Sequence, residues 1–157
     1  MKITLLSVGK TESGYLKTGI LQYEERLTHY AVFRHIEIPQ IKNPASLSKD
    51  QLKEREGVEI LKNVKEGDEL ILLDENGRER SSEEFAQFLE QKSINSTKSI
   101  IFVVGGAYGF SHKVTSRADT FISLSRMTFS HQMVRLIFLE QLYRAFTIIK
   151  GEPYHHK

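Results

Sequence analysis

The apolar positions of this chain fall into two periods. Residues 2–9 (KITLLSVG) form a mostly apolar run closed by a glycine, which predicts a buried strand. Residues 14–31 carry Leu16, Ile20, Tyr23 and Leu27 three or four apart, one stripe of a helix. Residues 32–39 (VFRHIEIP) alternate imperfectly and read as a second strand, with Pro39 and Pro44 bracketing the loop that follows. Residues 48–65 are rich in Lys and Glu, with Leu52, Val58, Leu61 and Val64 as a sparse stripe, and predict an exposed helix. A short strand over 69–74 (ELILLD) runs into Glu75-Asn76-Gly77, which is turn chemistry. Ser81 or Ser82 can cap the next helix, with Glu84 completing a capping box and Phe85, Phe88 and Leu89 on its inner side. Residues 99–104 (SIIFVV) are the most hydrophobic strand and lead into GGAYGF. A fifth strand is predicted over 120–124 and a long helix over 130–150, and GEPYHHK is a tail.

Strands that alternate with helices predict an α/β fold with a largely parallel sheet covered by helices on both faces. At 157 residues, with no repeat, no low-complexity tract and no linker, the expectation is one domain over residues 1–157. A chain of that size buries about 68–70% of its unfolded surface, enough for a core without staples. The chain has no Cys, which excludes disulfides, thiolate metal sites and Cys nucleophiles; no metal site is expected. The longest apolar runs, over 100–104 and 136–139, are far too short to span a membrane. Residues 1–10 hold too short an apolar stretch for a signal-peptide core, so the expected location is cytoplasmic.

The net charge of +2 is uninformative until it is divided. Residues 1–99 hold 15 Lys/Arg against 17 Asp/Glu, and residues 100–157 hold 7 against 3, with four of the 6 His. The C-terminal end is therefore the candidate surface for phosphates.

In open α/β sheets, ligands lie beyond the carboxyl ends of strands. Three ends stand out: Leu73-Asp74, the loop 105–109, and the stretch 124–129 (LSRMTF). Gly105 and Gly106 directly after a strand allow a ligand close to the backbone. No Gly-Lys-Ser/Thr follows, and the Gly-x-Gly-x-x-Gly spacing is absent, which disfavours a nucleoside triphosphate or NAD. Residues 124–129 offer backbone donors and acceptors beside Leu and Met, a combination suited to a neutral heteroaromatic ring such as adenine. Ser130 is the candidate cap of the last helix.

That helix is apolar around almost its whole circumference, from Met133 to Ile149. Such a helix must be covered on all sides, either as a central core helix or by a second copy of the chain; a homodimer is expected. Its polar residues form two islands. Glu140 and Arg144 can pair with each other, while Arg135 has no partner evident in the pattern and is the candidate for a phosphate. In the tail, Tyr154 can stack on a base, and His155 and His156 can accept a proton. His29 and His35 read as structural.

The GGAYGF loop, the pattern TF-x-HQ-x-x-R followed by EQ-x-YRA within residues 124–151, and the PYHH end resemble the ribosomal RNA large subunit methyltransferase H family of SPOUT methyltransferases. The resemblance extends over essentially the whole chain, including MKITLLSVGK and ELILLD-ENG. Where relatives often have Pro before the HQ pair, this chain has Ser130. The resemblance implies a SPOUT-type fold with a C-terminal trefoil knot, a homodimer, and S-adenosylmethionine (SAM) as cofactor. It implies methylation of N3 of a pseudouridine in 23S rRNA of the assembled ribosome. SAM would meet Leu73, Gly105, Leu124, Ser125, Arg126, Met127, Thr128 and Phe129. The N3 proton needs an acceptor, for which His131, Tyr154 and His155 are candidates. The expectation is that Tyr154 and His155, with Arg135, form the catalytic group, on a tail that closes over the base. Arg135, Arg144 and His131 are the expected RNA contacts. A SPOUT enzyme acting on tRNA and a non-catalytic RNA-binding module are the alternatives.

Overall fold

The computed structural model describes residues 1–156. Strands β1 (Lys2–Val8), β2 (Val32–Ile38), β3 (Glu69–Glu79), β4 (Ser99–Val104) and β5 (Thr120–Ser123) form one sheet in the order β2-β1-β4-β3-β5, and every pairing is parallel. Around it stand helices α1 (Gly14–Leu27), α2 (Lys49–Leu61), α3 (Ser82–Ile94), α4 (His112–Arg117) and α5 (Met133–Ile149).

The strand sequences explain their places. β1 and β4 are central and buried almost throughout, which is why they read as continuous apolar runs; β2, at the edge, alternates. Successive side chains of a strand point to opposite faces, so the sheet feeds two cores. Ile3, Leu5, Ile71, Ile100 and Phe102 pack with Leu16 and Ile20 of α1, Phe85 and Leu89 of α3, and Phe138, Leu139 and Leu142 of α5. Leu6, Leu70, Leu72, Ile101 and Val103 pack with Ile60 of α2 and Val114 of α4. Each fully buried side chain of this size contributes about 1.5–3 kcal/mol, so α5 is held mainly by this packing.

Three elements differ from the sequence expectation. Glu75-Asn76-Gly77 is not a turn: β3 runs on to Glu79, with an irregularity between Leu73 and Arg78 in its pairing with β5. Gly77 is needed for close approach rather than for a positive φ, since a Cβ there would lie 2.7 Å from the backbone nitrogen of Ile122. Between β4 and β5 lies α4, which the pattern did not reveal; Ser111 caps it, its Oγ accepting the N–H of Val114 at 3.4 Å. Finally, α5 owes much of its cover to its own chain. The sheet lies beneath it, α1 and α3 lie beside it, and none of its residues is exposed.

Candidate methyl-donor site

A cleft of about 640 Å³ opens at the carboxyl ends of β3, β4 and β5, within the size range of small-molecule sites. Three segments build it: Leu73 to Asn76 of β3, where its pairing with β5 is interrupted, Val104 at the end of β4 with the loop 105–110, and residues 124–131 with Val134 at the start of α5. Leu73, Gly105, Leu124, Ser125, Met127, Thr128 and Phe129 all line it, as the sequence predicts. Arg126 does not: its side chain is 87% exposed and pairs loosely with Glu79 at 3.7 Å. Its place in the predicted cofactor group is therefore corrected.

The loops are shaped by backbone constraints. A Cβ on Gly105 would stand 2.9 Å from the Phe110 ring. Gly109 takes a φ of 84° and its N–H donates to the carbonyl of Gly106 at 3.2 Å, closing a tight turn that only glycine adopts readily. In the second loop, the Ser123 hydroxyl donates to the carbonyl of Ser125 at 2.9 Å, and the Met127 N–H donates to Ser125 Oγ at 2.9 Å. Thr128 donates to Glu75 at 2.8 Å and so ties this loop to the end of β3. Ser130 acts as the expected cap, its Oγ accepting the Met133 N–H at 3.1 Å and its carbonyl the Val134 N–H at 3.0 Å, although regular helix begins only at Met133.

The electrostatics of the cleft are one-sided. Asp74 and Glu75 line it, and no Lys or Arg does among the described residues. An anionic phosphate would meet only like charge there, whereas a cation with an apolar and hydrogen-bonding body finds matching surroundings. The sulfonium of SAM and its adenosine fit this set of groups. The sequence pattern points to Leu73-Asp74 and not to Glu75, which lines the cleft as well.

Behind the loop lies a residue the sequence gave no reason to choose. Glu56 of α2 is 8% exposed. A Cβ built on Gly106 would lie 2.6 Å from its Oε2 and 2.8 Å from its Oε1, so the carboxyl presses against the glycine loop. Burial pushes this carboxyl above the usual carboxylate range.

The predicted catalytic and RNA-contact residues are scattered. His131 lines the cleft. Arg135 is fully buried and cannot contact a phosphate, which corrects its assignment both as a catalytic group and as an RNA contact. Its Nε donates to the carbonyl of His131 at 3.1 Å, Nη2 to that of Val8 at 2.8 Å, and Nη1 to that of Gly9 at 2.9 Å. Nη1 also reaches Thr11 Oγ1 at 3.1 Å and Glu37 Oε2 at 3.2 Å. Burial lowers the Arg135 pKa from its ordinary value. Burial would raise that of Glu37, but hydrogen bonds from the Thr11 hydroxyl and amide, together with His35 and Arg135, outweigh it and hold the carboxylate low.

Tyr154 and His155 are docked on their own chain, away from its cleft. Tyr154 donates to Glu140 at 3.1 Å, shares a hydrogen bond with Tyr23 at 3.2 Å and packs edge-on against Tyr143. Burial, then these bonds, raise the phenol's pKa well above its ordinary value. Arg144 can only donate, so Nδ1 of His155 accepts from it at 3.2 Å and Nε2 carries the hydrogen toward Glu83 at 3.0 Å. Arg144 is also bonded to Glu140, the pairing the sequence predicts. Arg144 lies ten residues beyond Val134, roughly 15 Å along the helix at 1.5 Å per residue, and neither tail residue lines the cleft. The expected closure of the tail over the cleft is therefore not seen within one chain.

A sequence model of the family described as "Predicted SPOUT methyltransferase" matches residues 1–155. The chain belongs to the SPOUT methyltransferase family. It is 54% identical over 157 residues to the protein named ribosomal RNA large subunit methyltransferase H of Parabacteroides distasonis, covering 100% of both chains. It is 53% identical over 156 residues to the protein of that name from Cytophaga hutchinsonii, covering 99% of this chain and 100% of the relative. Among solved structures, a probable methylase family protein from Haemophilus influenzae has a TM-score of 0.52 at 13% identity, over 99% of this chain and 70% of that one. A probable methyltransferase from Bordetella pertussis has a TM-score of 0.50 at 11% identity, over 92% and 95%. These two structures support the fold alone.

Proposed function

We propose that this SPOUT methyltransferase transfers the methyl group of SAM to N3 of a pseudouridine in 23S rRNA, acting as a homodimer on the assembled ribosome. The observation that carries the reading is the acid-lined cleft at the three strand ends, in a chain about half identical over its full length to proteins named for methylation of large-subunit rRNA. Bound SAM would supply an electrophilic methyl on a sulfonium, so no metal is required to activate it. Leu73, Gly105, Leu124, Ser125 and residues 127–129 would hold it by apolar contact and main-chain hydrogen bonds, and Asp74 and Glu75 would favour its positive charge. Much of the acceleration then comes from alignment of donor and acceptor.

The attacking nitrogen must lose its proton, and His155 is the proposed acceptor; its Nδ1 lone pair faces Arg144 in the single chain, so the docked substrate must take the place of that contact for Nδ1 to accept the proton. Tyr154, whose phenol stays protonated, is suited to hold the base rather than to act as a base itself. Because the tail is remote from its own cleft, the reading places the tail of a second copy over it, and α5 with its half-buried outer side is the proposed contact. The trefoil knot and the single domain over residues 1–157 belong to the same reading. Arg144 and His131 remain the proposed RNA contacts.

Transfer of labelled methyl groups from SAM tests it. Incorporation into large-subunit rRNA of intact ribosomes is the expected result. Incorporation into free tRNA instead would replace the substrate, and no binding of SAM by calorimetry would leave a non-catalytic RNA-binding module.

A further inference from the structure

One face of α2 shapes the glycine loop that walls the cleft. Glu56 presses on Gly106, and at Gly57 even a Cβ would collide with the Ser111 hydroxyl. The Lys49 ammonium lies 5.2 Å from the Tyr108 ring centre. These residues recur at helical spacing, so a single helix face sets the loop from residue 106 to residue 111.

The two carboxylates that line the cleft and the one that stands behind its glycine loop differ in what they already hold. Asp74 Oδ1 accepts the Asn76 N–H at 2.8 Å, and Glu75 accepts the Thr128 hydroxyl at 2.8 Å. Among the described residues nothing donates to Glu56 or pairs with it. The lysines on its side of α2 are engaged elsewhere, Lys49 at Tyr108 and Lys53 with Asp50 at 3.6 Å. A buried acid without a counter-charge is costly, and such groups concentrate where function needs them.

We propose that Glu56 is a specificity residue of the cleft, its carboxylate behind Gly106 favouring the cationic methyl donor over the neutral product of transfer. The inference rests on the methyl-donor reading above. Methyl transfer breaks a carbon–sulfur bond whose electron pair stays on sulfur, so a sulfonium becomes a thioether and one positive charge leaves the site. The new bond forms at the acceptor nitrogen, whose proton departs. A carboxylate pressed against the loop therefore attracts the ligand before the reaction and not after it, and product leaves more readily than donor.

The test is calorimetric titration of the whole chain with SAM and, separately, with S-adenosylhomocysteine, for wild type, Glu56→Gln and Glu56→Asp. Gln keeps the shape and removes the charge; Asp keeps the charge and shortens the side chain. Glu56→Gln is expected to weaken SAM about tenfold while leaving S-adenosylhomocysteine within about twofold, and Glu56→Asp to retain the preference for SAM. Equal weakening of both ligands by Glu56→Gln, or no change in either, would overturn the proposal. Wild type that binds neither ligand would instead overturn the methyl-donor reading, and this inference with it.

Discussion

The guanidinium of Arg135 fastens the first turn of α5 to the ends of β1 and β2, using every nitrogen it has. Arg135→Ala would strand the carbonyls of Val8 and Gly9 without this donor and leave the carboxylate of Glu37 with Thr11 but no counter-charge from Arg135. Breaking a buried pair costs about 3–5 kcal/mol, and Glu37 is still 38% exposed and screened by water, so the lower end applies. Urea unfolding should show that loss. A change confined to RNA affinity, with stability intact, would restore the phosphate role. In the sequence Arg135 looked unpartnered because all its acceptors lie more than 90 residues away or on the backbone, where no local pattern reports them. Arg144 was legible, because its partner Glu140 lies one helical turn away. Glu56 gives a pH signature of the opposite kind to an ion-paired acid. Its folded-state pKa is raised, so both states are protonated below the ordinary value of 4.5 and the acid costs nothing there. As pH rises above that value the unfolded chain ionises freely while the folded one resists, and stability is lost. Glu56→Gln should therefore raise the unfolding midpoint at pH 7 and leave it unchanged at pH 4, which denaturation at the two pH values measures directly. A more stable variant with a poorer preference for SAM is what a functional buried acid predicts.

At the scale of elements, the strands and long helices were readable because burial on one or two faces imposes a period. α4 was not, since six residues with Val114 as the only buried one carry no period at all. The end of β3 misled for a different reason. Asn-Gly is the strongest short turn signal, yet Gly77 serves to let β3 lie against the backbone of Phe121 and Ile122. That contact also positions β5, and with it the loop 124–129 that completes the cleft. Gly77→Ala would drive a Cβ to within 2.7 Å of backbone atoms that cannot yield as a side-chain tip can. The expected result is weaker SAM binding by calorimetry together with a lower unfolding temperature, and unaltered values of both would show that the β3–β5 contact is not what sets the loop.

For the whole molecule, the arrangement of cleft and tail decides how many chains make one active site. Phe129, His131 and Val134 belong to the cleft at the start of α5, and Tyr154 and His155 fold back onto Glu140, Tyr143 and Arg144 along the same helix. A rigid helix therefore holds the donor cleft and the tail of one chain apart. A second chain running the other way would bring each tail to the other's cleft, and the half-buried outer side of α5 supplies a surface for that contact. The arrangement predicts complementation. Gly105→Leu would fill the donor cleft, since even a Cβ at that position meets the Phe110 ring at 2.9 Å, and His155→Ala would remove the proposed proton acceptor. Each variant alone should be inactive in methyl transfer to ribosomes. Unfolded together and refolded in equal amounts, they form mixed dimers in half the population, and each mixed dimer has one intact composite site of two. Recovery of about a quarter of wild-type activity is the expected outcome for sites shared between chains. Sites contained within one chain would give no recovery at all. A monomer by light scattering at concentrations where the enzyme turns over would exclude the shared site before any activity is measured.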